Sequence, residues 1–249
     1  MFVHNINPTL LDIGPLEIRY YGIFYALGFV IAYFMINALV KQKGIGLSRD
    51  EVADYIFYLV VGVVAGARLF YVLYNPSYFW ENPLQIVAVW NGGLIFLGGL
   101  VGALVAIKLF MRKKNIDFYT LADITVIPLA IGLALGRIGN FINGELVGRI
   151  TSVPWAVKFP DYEGFRHPVQ LYNSLANLSI FGLLWFLKDK NYKKGTLFWT
   201  FLVWYSSLRF LMGFFKEADQ YGFLLGITVE QLIYLVAAVI SIICLKKVR

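Results

Sequence analysis

Long apolar stretches recur along almost the whole 249-residue chain, and they restrict it to a small set of folds. About 20 consecutive apolar residues are the length that an α-helix needs to cross the hydrocarbon core of a bilayer. Seven such stretches can be delimited: Tyr21–Val40, Val52–Tyr74, Leu94–Met111, Leu121–Phe141, Gln170–Leu187, Thr196–Phe215 and Leu224–Leu245. With 59% hydrophobic and only 15% charged residues, the composition differs from that of a soluble domain. The sequence therefore predicts an all-α polytopic membrane protein with seven transmembrane helices, organised as a single integral membrane domain over residues 1–249.

Basic residues are concentrated in alternate loops of this predicted topology. Of the 22 Lys and Arg residues, 13 lie in four segments: Lys41–Arg49, Arg112–Lys114, Lys188–Lys194 and Lys246–Arg249. Because basic loops stay on the cytoplasmic side, the pattern predicts an N-terminus outside and a C-terminus in the cytoplasm. The net charge of +7 is then mainly a topology signal that also suits anionic membrane lipid, and we expect no nucleic acid partner.

Polar residues interrupt the end of the fourth apolar stretch, in the segment Gly136–Arg149 (GRIGNFINGELVGR). Arg137 lies at membrane depth, where an unpaired charge costs at least about 2.5–3.5 kcal/mol, so we expect an anionic group opposite it. Asn140 and Asn143 follow at steps of three and reach the same side if the helix continues. A guanidinium with two amides is well suited to a phosphate group. Alternatively, Gly132, Gly136 and Gly139 allow a neighbouring helix to pack closely, with Arg137 in a structural ion pair.

Two further arginines fall inside predicted spans, Arg68 in the second and Arg209 in the sixth. Glu145 and Glu230 are candidate partners, but these carboxylates are too few to neutralise three arginines. The pattern predicts a cationic cavity, open to the outer half of the membrane, that binds an anionic lipid headgroup. Three separately ion-paired or snorkelling arginines are the structural alternative. A lipid scramblase or an anion transporter with an arginine-lined cavity is the functional alternative, although such proteins often contain internal repeats and none is convincing here.

Five sequence blocks resemble, in the same order, the motifs of the bacterial prolipoprotein diacylglyceryl transferase family. They are Arg19–Phe29 (RYYGIFYALGF), Trp90–Ala103 (WNGGLIFLGGLVGA), Gly136–Arg149, Arg166–Leu175 (RHPVQLYNSL) and Leu208–Lys216 (LRFLMGFFK). The resemblance implies transfer of the diacylglyceryl group of phosphatidylglycerol to the lipobox cysteine thiol in the signal peptide of a prolipoprotein, with formation of a thioether and release of glycerol 1-phosphate. It implies a multi-pass protein of the bacterial cytoplasmic (inner) membrane, with its active site toward the outer half. We expect no cofactor and no metal ion.

The resemblance also implies which residues form the site. It places Tyr21, Asn140, Glu145 and Arg209 in catalysis, and Arg137, Gly148 and Tyr205 in substrate binding. The helical spacing adds Asn143 to the substrate-binding residues, and the cavity hypothesis adds Arg68. We expect Arg137 and Arg209 to bind the phosphate, Asn140 and Asn143 to orient it, and Glu145 to hold an arginine. Tyr21 could instead be an interfacial tyrosine with a satisfied hydroxyl.

Two positions depart from the family pattern. Leu97 stands where some members have a histidine proposed as the base, and Gly213 stands where many have a glutamate four residues beyond the sixth-helix arginine. Leucine accepts no proton, so the base is left unassigned, and the absence of a carboxylate at position 213 predicts that Arg209 is freer to bind substrate. His167 can cap and pack as readily as it can take a proton.

Overall fold

The structure is a computed structural model that describes residues 1–13, 16–217, 223–224 and 227–248. Within them, eight α-helices account for most of the chain: α1 Tyr20–Lys43, α2 Arg49–Tyr74, α3 Pro76–Glu81, α4 Phe96–Lys114, α5 Phe118–Asn143, α6 Val169–Leu187, α7 Thr196–Gly213 and α8 Val229–Val248. Two 3₁₀ turns, Pro83–Ile86 and Val89–Asn91, lie between α3 and α4. Six short strands complete the described residues: β1 Phe2–Val3, β2 Thr9–Ile13, β3 Leu16–Arg19, β4 Val157–Lys158, β5 Phe223–Leu224 and β6 Ile227–Thr228.

The prediction of a polytopic, mostly helical membrane protein is confirmed. Four helices are long and apolar enough to cross a bilayer: Tyr20–Gln42, Arg49–Tyr74, Phe118–Asn143 and Val229–Val248. The other three predicted spans coincide with α4, α6 and α7, which are 18–19 residues long and are not among these four helices. Seven membrane crossings and the single-domain organisation therefore stay predictions, and the small strands are an addition to the all-α expectation.

The chain divides into two compact units. Unit 2, Ile36–Leu121, is built on the antiparallel pair α2 and α4. The backbones of Gly62 and Gly66 approach Gly102 and Gly98 so closely that a side chain at these positions would overlap the facing helix. At one end of the pair, the Lys114 ammonium lies 2.6 Å from the Glu51 carboxylate. Glycine contacts of this kind allow membrane helices to pack backbone against backbone.

Unit 1 contains Met1–Met35 and Ala122–Arg249. Here α1 packs on α5 along an antiparallel seam, in which Gly28 faces Gly132, Tyr25 faces Gly136 and Tyr21 faces Gly139. Close packing against an α5 glycine, one of the alternatives for this segment, is thus present at Gly139, where an added Cβ atom would lie 2.9 Å from Cδ2 of Tyr21. The seam fixes the first turns of α1 beside the last turns of α5, where the polar residues of the GRIGNFINGELVGR segment are.

A small folded cap covers the end of α5 and consists of Phe2–His4 and Gly144–His167. Strand β1 pairs in parallel with β4, with Phe2 opposite Val157. The apolar core of the cap contains Val147, Val157 and Phe159, which pack against Phe141 at the end of α5. Buried His4 lies on the same side, with its Nε2 2.8 Å from the carbonyl oxygen of Phe141. The same carbonyl also accepts from the Gly144 N–H at 3.0 Å, so His4 adds a second contact at the end of α5 and anchors strand β1 there.

Candidate functional site

Arg137 lies one and a half turns before the end of α5 and is half-buried. Its NH1 group donates a long hydrogen bond of 3.4 Å to Oδ1 of Asn140, which confirms that the two side chains share a helix face. Among the described residues, no carboxylate forms a salt bridge with Arg137. The alternative prediction for Arg137, a structural ion pair, is therefore not found among the described residues. A half-buried guanidinium with most of its donors unused is suited to an external anion.

The two asparagines and the glutamate of the segment form a connected network. Nδ2 of Asn140 donates to Oε1 of Glu145 at 2.7 Å, and Nδ2 of Asn143 donates to the same oxygen at 3.3 Å. The prediction that Glu145 holds an arginine is wrong for the described structure, because its carboxylate is held by these two amides instead. Glu145 thereby fixes the orientation of Asn140, whose Oδ1 remains available to Arg137. Oδ1 of Asn143 is buried without a hydrogen-bond partner among the described residues.

Arg209, on α7, is in a different state from Arg137. Its NH2 group lies 2.7 Å from Oε1 of Glu230, its NH1 donates to Oδ1 of Asn173 at 3.0 Å, and its Nε donates to the hydroxyl of Tyr234 at 3.2 Å. The prediction that Gly213 leaves Arg209 freer is therefore wrong, because α8 supplies a carboxylate through Glu230. The charges of Arg137 and Arg209 lie close enough to repel each other, which places both arginines at one site.

Four tyrosines surround the two arginines. The hydroxyl of Tyr21 donates to that of Tyr25 at 3.0 Å, and Tyr21 is close enough to Arg137 and Glu145 to interact with their charges. The ring of Tyr205 packs edge-on against Tyr234, with 6.2 Å between centroids. Tyr25 and Tyr234 were missed from the sequence. Tyr25 could have been found one helical turn after Tyr21, whereas nothing in the pattern around Tyr234 identifies a partner of Arg209.

Arg68 uses its hydrogen-bond donors within the protein, and its assignment to substrate binding stays a prediction. The side chain is 6% exposed, and all five of its N–H groups donate to backbone carbonyls. The acceptors are the carbonyl oxygens of Gln85, Ile86, Ala88, Gly92 and Gly93. Its guanidinium also lies 5.2 Å from the ring centroid of Phe79. Arg68 is thus a structural residue that holds the two 3₁₀ turns of unit 2.

Gly148 is closely packed by protein atoms, and its assignment to substrate binding stays a prediction. It is buried, its N–H donates to the His167 carbonyl at 3.0 Å, and its carbonyl accepts from Arg166 at 3.1 Å. A Cβ atom here would lie 2.5 Å from Cγ2 of Val169 and 2.6 Å from the carbonyl oxygen of Phe215. Protein atoms therefore fill the space that a side chain at position 148 would need, and only glycine fits there.

His167 is the last residue of the cap and is 7% exposed. Its Nδ1 lies 3.1 Å from the hydroxyl of Tyr172, which in turn accepts a hydrogen bond of 2.6 Å from Nε1 of Trp155. Burial, and after it the charge of Arg149, holds the pKa of His167 below its usual value. The imidazole is therefore neutral at neutral pH, and its contacts are those of a packed residue.

The long apolar helices define a membrane protein of mostly helical fold. Arg137 and Arg209 together form a candidate site for an anionic group. The sequence profile of the prolipoprotein diacylglyceryl transferase family matches residues 8–246, and the chain belongs to this family.

Curated relatives agree over most of the chain. A phosphatidylglycerol–prolipoprotein diacylglyceryl transferase of Geobacter sulfurreducens is 46% identical over 226 residues, which cover 89% of this chain and 87% of the relative. The enzyme of the same name from Bordetella avium is 42% identical, over 88% of this chain and 86% of the relative. That from Aliivibrio fischeri is 43% identical, over 86% of this chain and 79% of the relative.

Proposed function

We propose that this protein is a phosphatidylglycerol–prolipoprotein diacylglyceryl transferase. Relatives of that name align with it over nearly their whole length, and they support the assignment directly. The structural observation that supports it most is Arg137, a half-buried arginine that has no carboxylate partner among the described residues and lies beside oriented amides. The reaction needs such a group because the leaving phosphate of the lipid must be stabilised in a water-poor environment.

In the proposed reaction, Arg137 binds the phosphate of phosphatidylglycerol through its unused N–H groups. Asn140 is oriented by Glu145 and keeps the guanidinium in place through the 3.4 Å contact. The bond that breaks joins the glyceryl carbon to a phosphate oxygen, and the electron pair stays on that oxygen. Preorganised donors aimed at a group that gains charge contribute more to the rate than to substrate binding.

Arg209 and Tyr205 complete the proposed site on the α7 side, and Tyr21 does so on the α1 side. Arg209 is held by Glu230 and Asn173, so it presents a fixed positive charge rather than a free fork. Tyr21 lies within the electrostatic reach of both Arg137 and Glu145, and its hydroxyl can turn from Tyr25 toward a substrate oxygen. The attacking group is the thiolate of the acceptor cysteine.

The acceptor and the membrane setting are further parts of the proposal. The acceptor is the lipobox cysteine at the end of a prolipoprotein signal peptide. The chain crosses the bacterial inner membrane seven times with its N-terminus outside, and the site lies in the outer half. The basic last turns of α1, α4 and α8 support this orientation, since Lys and Arg favour the cytoplasmic side.

The direct test uses the purified protein in detergent with phosphatidylglycerol and a synthetic lipobox peptide. We expect a thioether-linked peptide and glycerol phosphate in equal amounts, and no product when phosphatidylethanolamine replaces phosphatidylglycerol, because its ammonium would face arginines. A peptide with serine in place of cysteine is the matched control. Movement of lipid without thioether formation would indicate a scramblase instead, and comparable transfer from both lipids would contradict recognition of the anionic headgroup.

A further inference from the structure

Glu230 lies in the first turn of α8 and bridges two cations of the neighbouring helix region. Its Oε1 lies 2.7 Å from NH2 of Arg209, and its Oε2 lies 2.6 Å from Nζ of Lys216. The Arg209 side chain is 11% exposed, whereas that of Glu230 is 39% exposed. A cavity of about 260 Å³ opens at this carboxylate, lined by Gly213, Lys216, Glu217, Thr228, Val229, Glu230 and Ile233. Each carboxylate oxygen of Glu230 therefore binds one cation, and the side chain remains partly exposed to the cavity.

The charges at the site are nearly balanced because of this carboxylate. Three cations, Arg137, Arg209 and Lys216, lie with two carboxylates, Glu145 and Glu230, in one electrostatic neighbourhood. One positive charge is left over, and Arg137 is the arginine without a carboxylate partner among the described residues. A phosphodiester such as the phosphatidylglycerol headgroup carries one negative charge, so the balance matches the substrate.

The product has a different charge. When the thiolate sulfur forms its bond to the glyceryl carbon, the carbon–oxygen bond breaks and its electron pair remains on the phosphate. The phosphodiester becomes a phosphate monoester, which carries about −1.5 to −2 at pH 7 because its second pKa is near 6. The proton of the thiol is transferred to solvent or to this phosphate. A site with two free arginines would hold such a product more tightly than the substrate and would delay its release.

We propose that Glu230 limits the affinity of the site for the phosphate monoester product by competing with it for Arg209. This inference rests on the proposed function. Glu230 is a positioning residue here, since it acts through Arg209 and through the charge of the site. Its bond to Lys216 keeps it at the cavity, so the carboxylate is poised to reclaim Arg209 as the product leaves. The monoanionic substrate is affected less, because a single charge is satisfied by Arg137.

The test is inhibition of the purified enzyme by added glycerol 1-phosphate. In Glu230→Gln, we expect the inhibition constant to fall by roughly tenfold, the effect of about one hydrogen bond to a charged group. Inhibition by glycerophosphoglycerol, a monoanionic phosphodiester, should change much less. Glu230→Asp keeps the charge and should restore most of the wild-type constant. Glu217→Gln is the matched control, because Glu217 lines the same cavity but pairs with Arg166 at 2.7 Å.

Lys216→Met provides a second variant with the opposite expected sign. Without Lys216, Glu230 is bound to Arg209 alone, so glycerol 1-phosphate should inhibit less than in the wild type. An unchanged constant in folded Glu230→Gln, or an equal shift in Glu217→Gln, would overturn the inference. If Glu230→Gln does not fold, an unchanged or strengthened inhibition in Lys216→Met overturns it equally. Absence of transfer by the wild-type protein would contradict the proposed function instead.

Discussion

Arg68 and Arg137 are both arginines inside apolar helices, but their surroundings are opposite. Arg68, in unit 2, has every N–H group on a backbone carbonyl and is 6% exposed. Arg137, in unit 1, makes one long hydrogen bond to Asn140 and has no carboxylate partner among the described residues. Position in an apolar stretch therefore does not distinguish a structural arginine from a binding one. The distinguishing property is how many donors the protein itself has used.

The largest effect should come from Arg137. Arg137→Ala is expected to lower kcat/KM by about 10²–10³-fold, because it removes a preorganised donor for the leaving phosphate. The thermal midpoint should stay near that of the wild type, since no protein group loses a strong partner. Transfer to a lipobox peptide and unfolding in detergent are the two measurements. Arg137→Lys should recover little activity because an ammonium lacks the bidentate fork.

Arg19→Ala is a suitable control for Arg137→Ala. Arg19 is an exposed arginine in the same unit that pairs with Glu17, so its loss removes one charge away from the site. Near-normal turnover by Arg137→Ala would remove the contrast with Arg68 and contradict the phosphate-binding role.

Arg68 should give the reverse result, a loss of stability with activity retained in the folded fraction. Arg68→Met leaves several carbonyl groups without donors, and each such group costs about 1–3 kcal/mol when it stays buried. With about 2–4 °C per kcal/mol for a chain of this size, we expect the thermal midpoint to fall by at least roughly 6 °C. The KM for phosphatidylglycerol should be unchanged. Arg112→Met, at the exposed end of α4, removes the same charge without these hydrogen bonds and should be neutral.

A smaller effect is expected when Arg137 is given a carboxylate partner and thus made to resemble a paired arginine. Asn140→Asp would place a negative charge at the present 3.4 Å contact, which an incoming phosphate must displace. We expect the KM for phosphatidylglycerol to rise by roughly tenfold. Asn140→Ala removes the contact without adding charge and should raise KM less. Equal KM values for the two variants would show that a carboxylate beside Arg137 does not weaken its binding of phosphatidylglycerol.

The smallest effect concerns His167, whose imidazole is positively charged only at acidic pH. The pKa of His167 lies below its usual value of 6.5 because the ring is buried and Arg149 is near. The unfolded chain therefore binds a proton more readily than the folded one. This contribution to stability is complete above pH 6.5 and is lost as the pH falls below it. Thermal midpoints measured between pH 7.5 and 5 should decline less in His167→Gln than in the wild type.

The helices were largely predictable because apolar length is a local property. The predicted span Val52–Tyr74 ends with α2, which begins three residues earlier at Arg49. That first turn was outside the apolar window because it is polar: Ser48 and Glu51 form a capping box at the start of α2. The cap on α5 was not predictable, since a two-residue strand near the N-terminus pairs with another more than 150 residues later.

Some contacts of the functional residues were also predictable from the sequence, and others were not. Arg137 and Asn140 are three residues apart on one helix, so their contact follows from helical spacing. The partners of Arg68 lie in irregular turns 17–25 residues away, and the partner of Arg209 lies on another helix, 21 residues away. No periodic pattern connects such positions. The close packing of Gly148 was also not predictable, because close packing and ligand contact both require a small residue and only the neighbouring atoms distinguish them.

The seam between α1 and α5 has a consequence for biosynthesis. Gly28 faces Gly132, so α1 must wait for a packing partner that is synthesised roughly a hundred residues later, about 5–20 s at usual rates of synthesis. In that interval α2 and α4 can complete their own pair. In a nascent chain that stops after α4, the inserted α1 therefore lacks the helix that packs against Gly28. The arginine site can be assembled only late in translation, after α5 has been synthesised and has packed against α1.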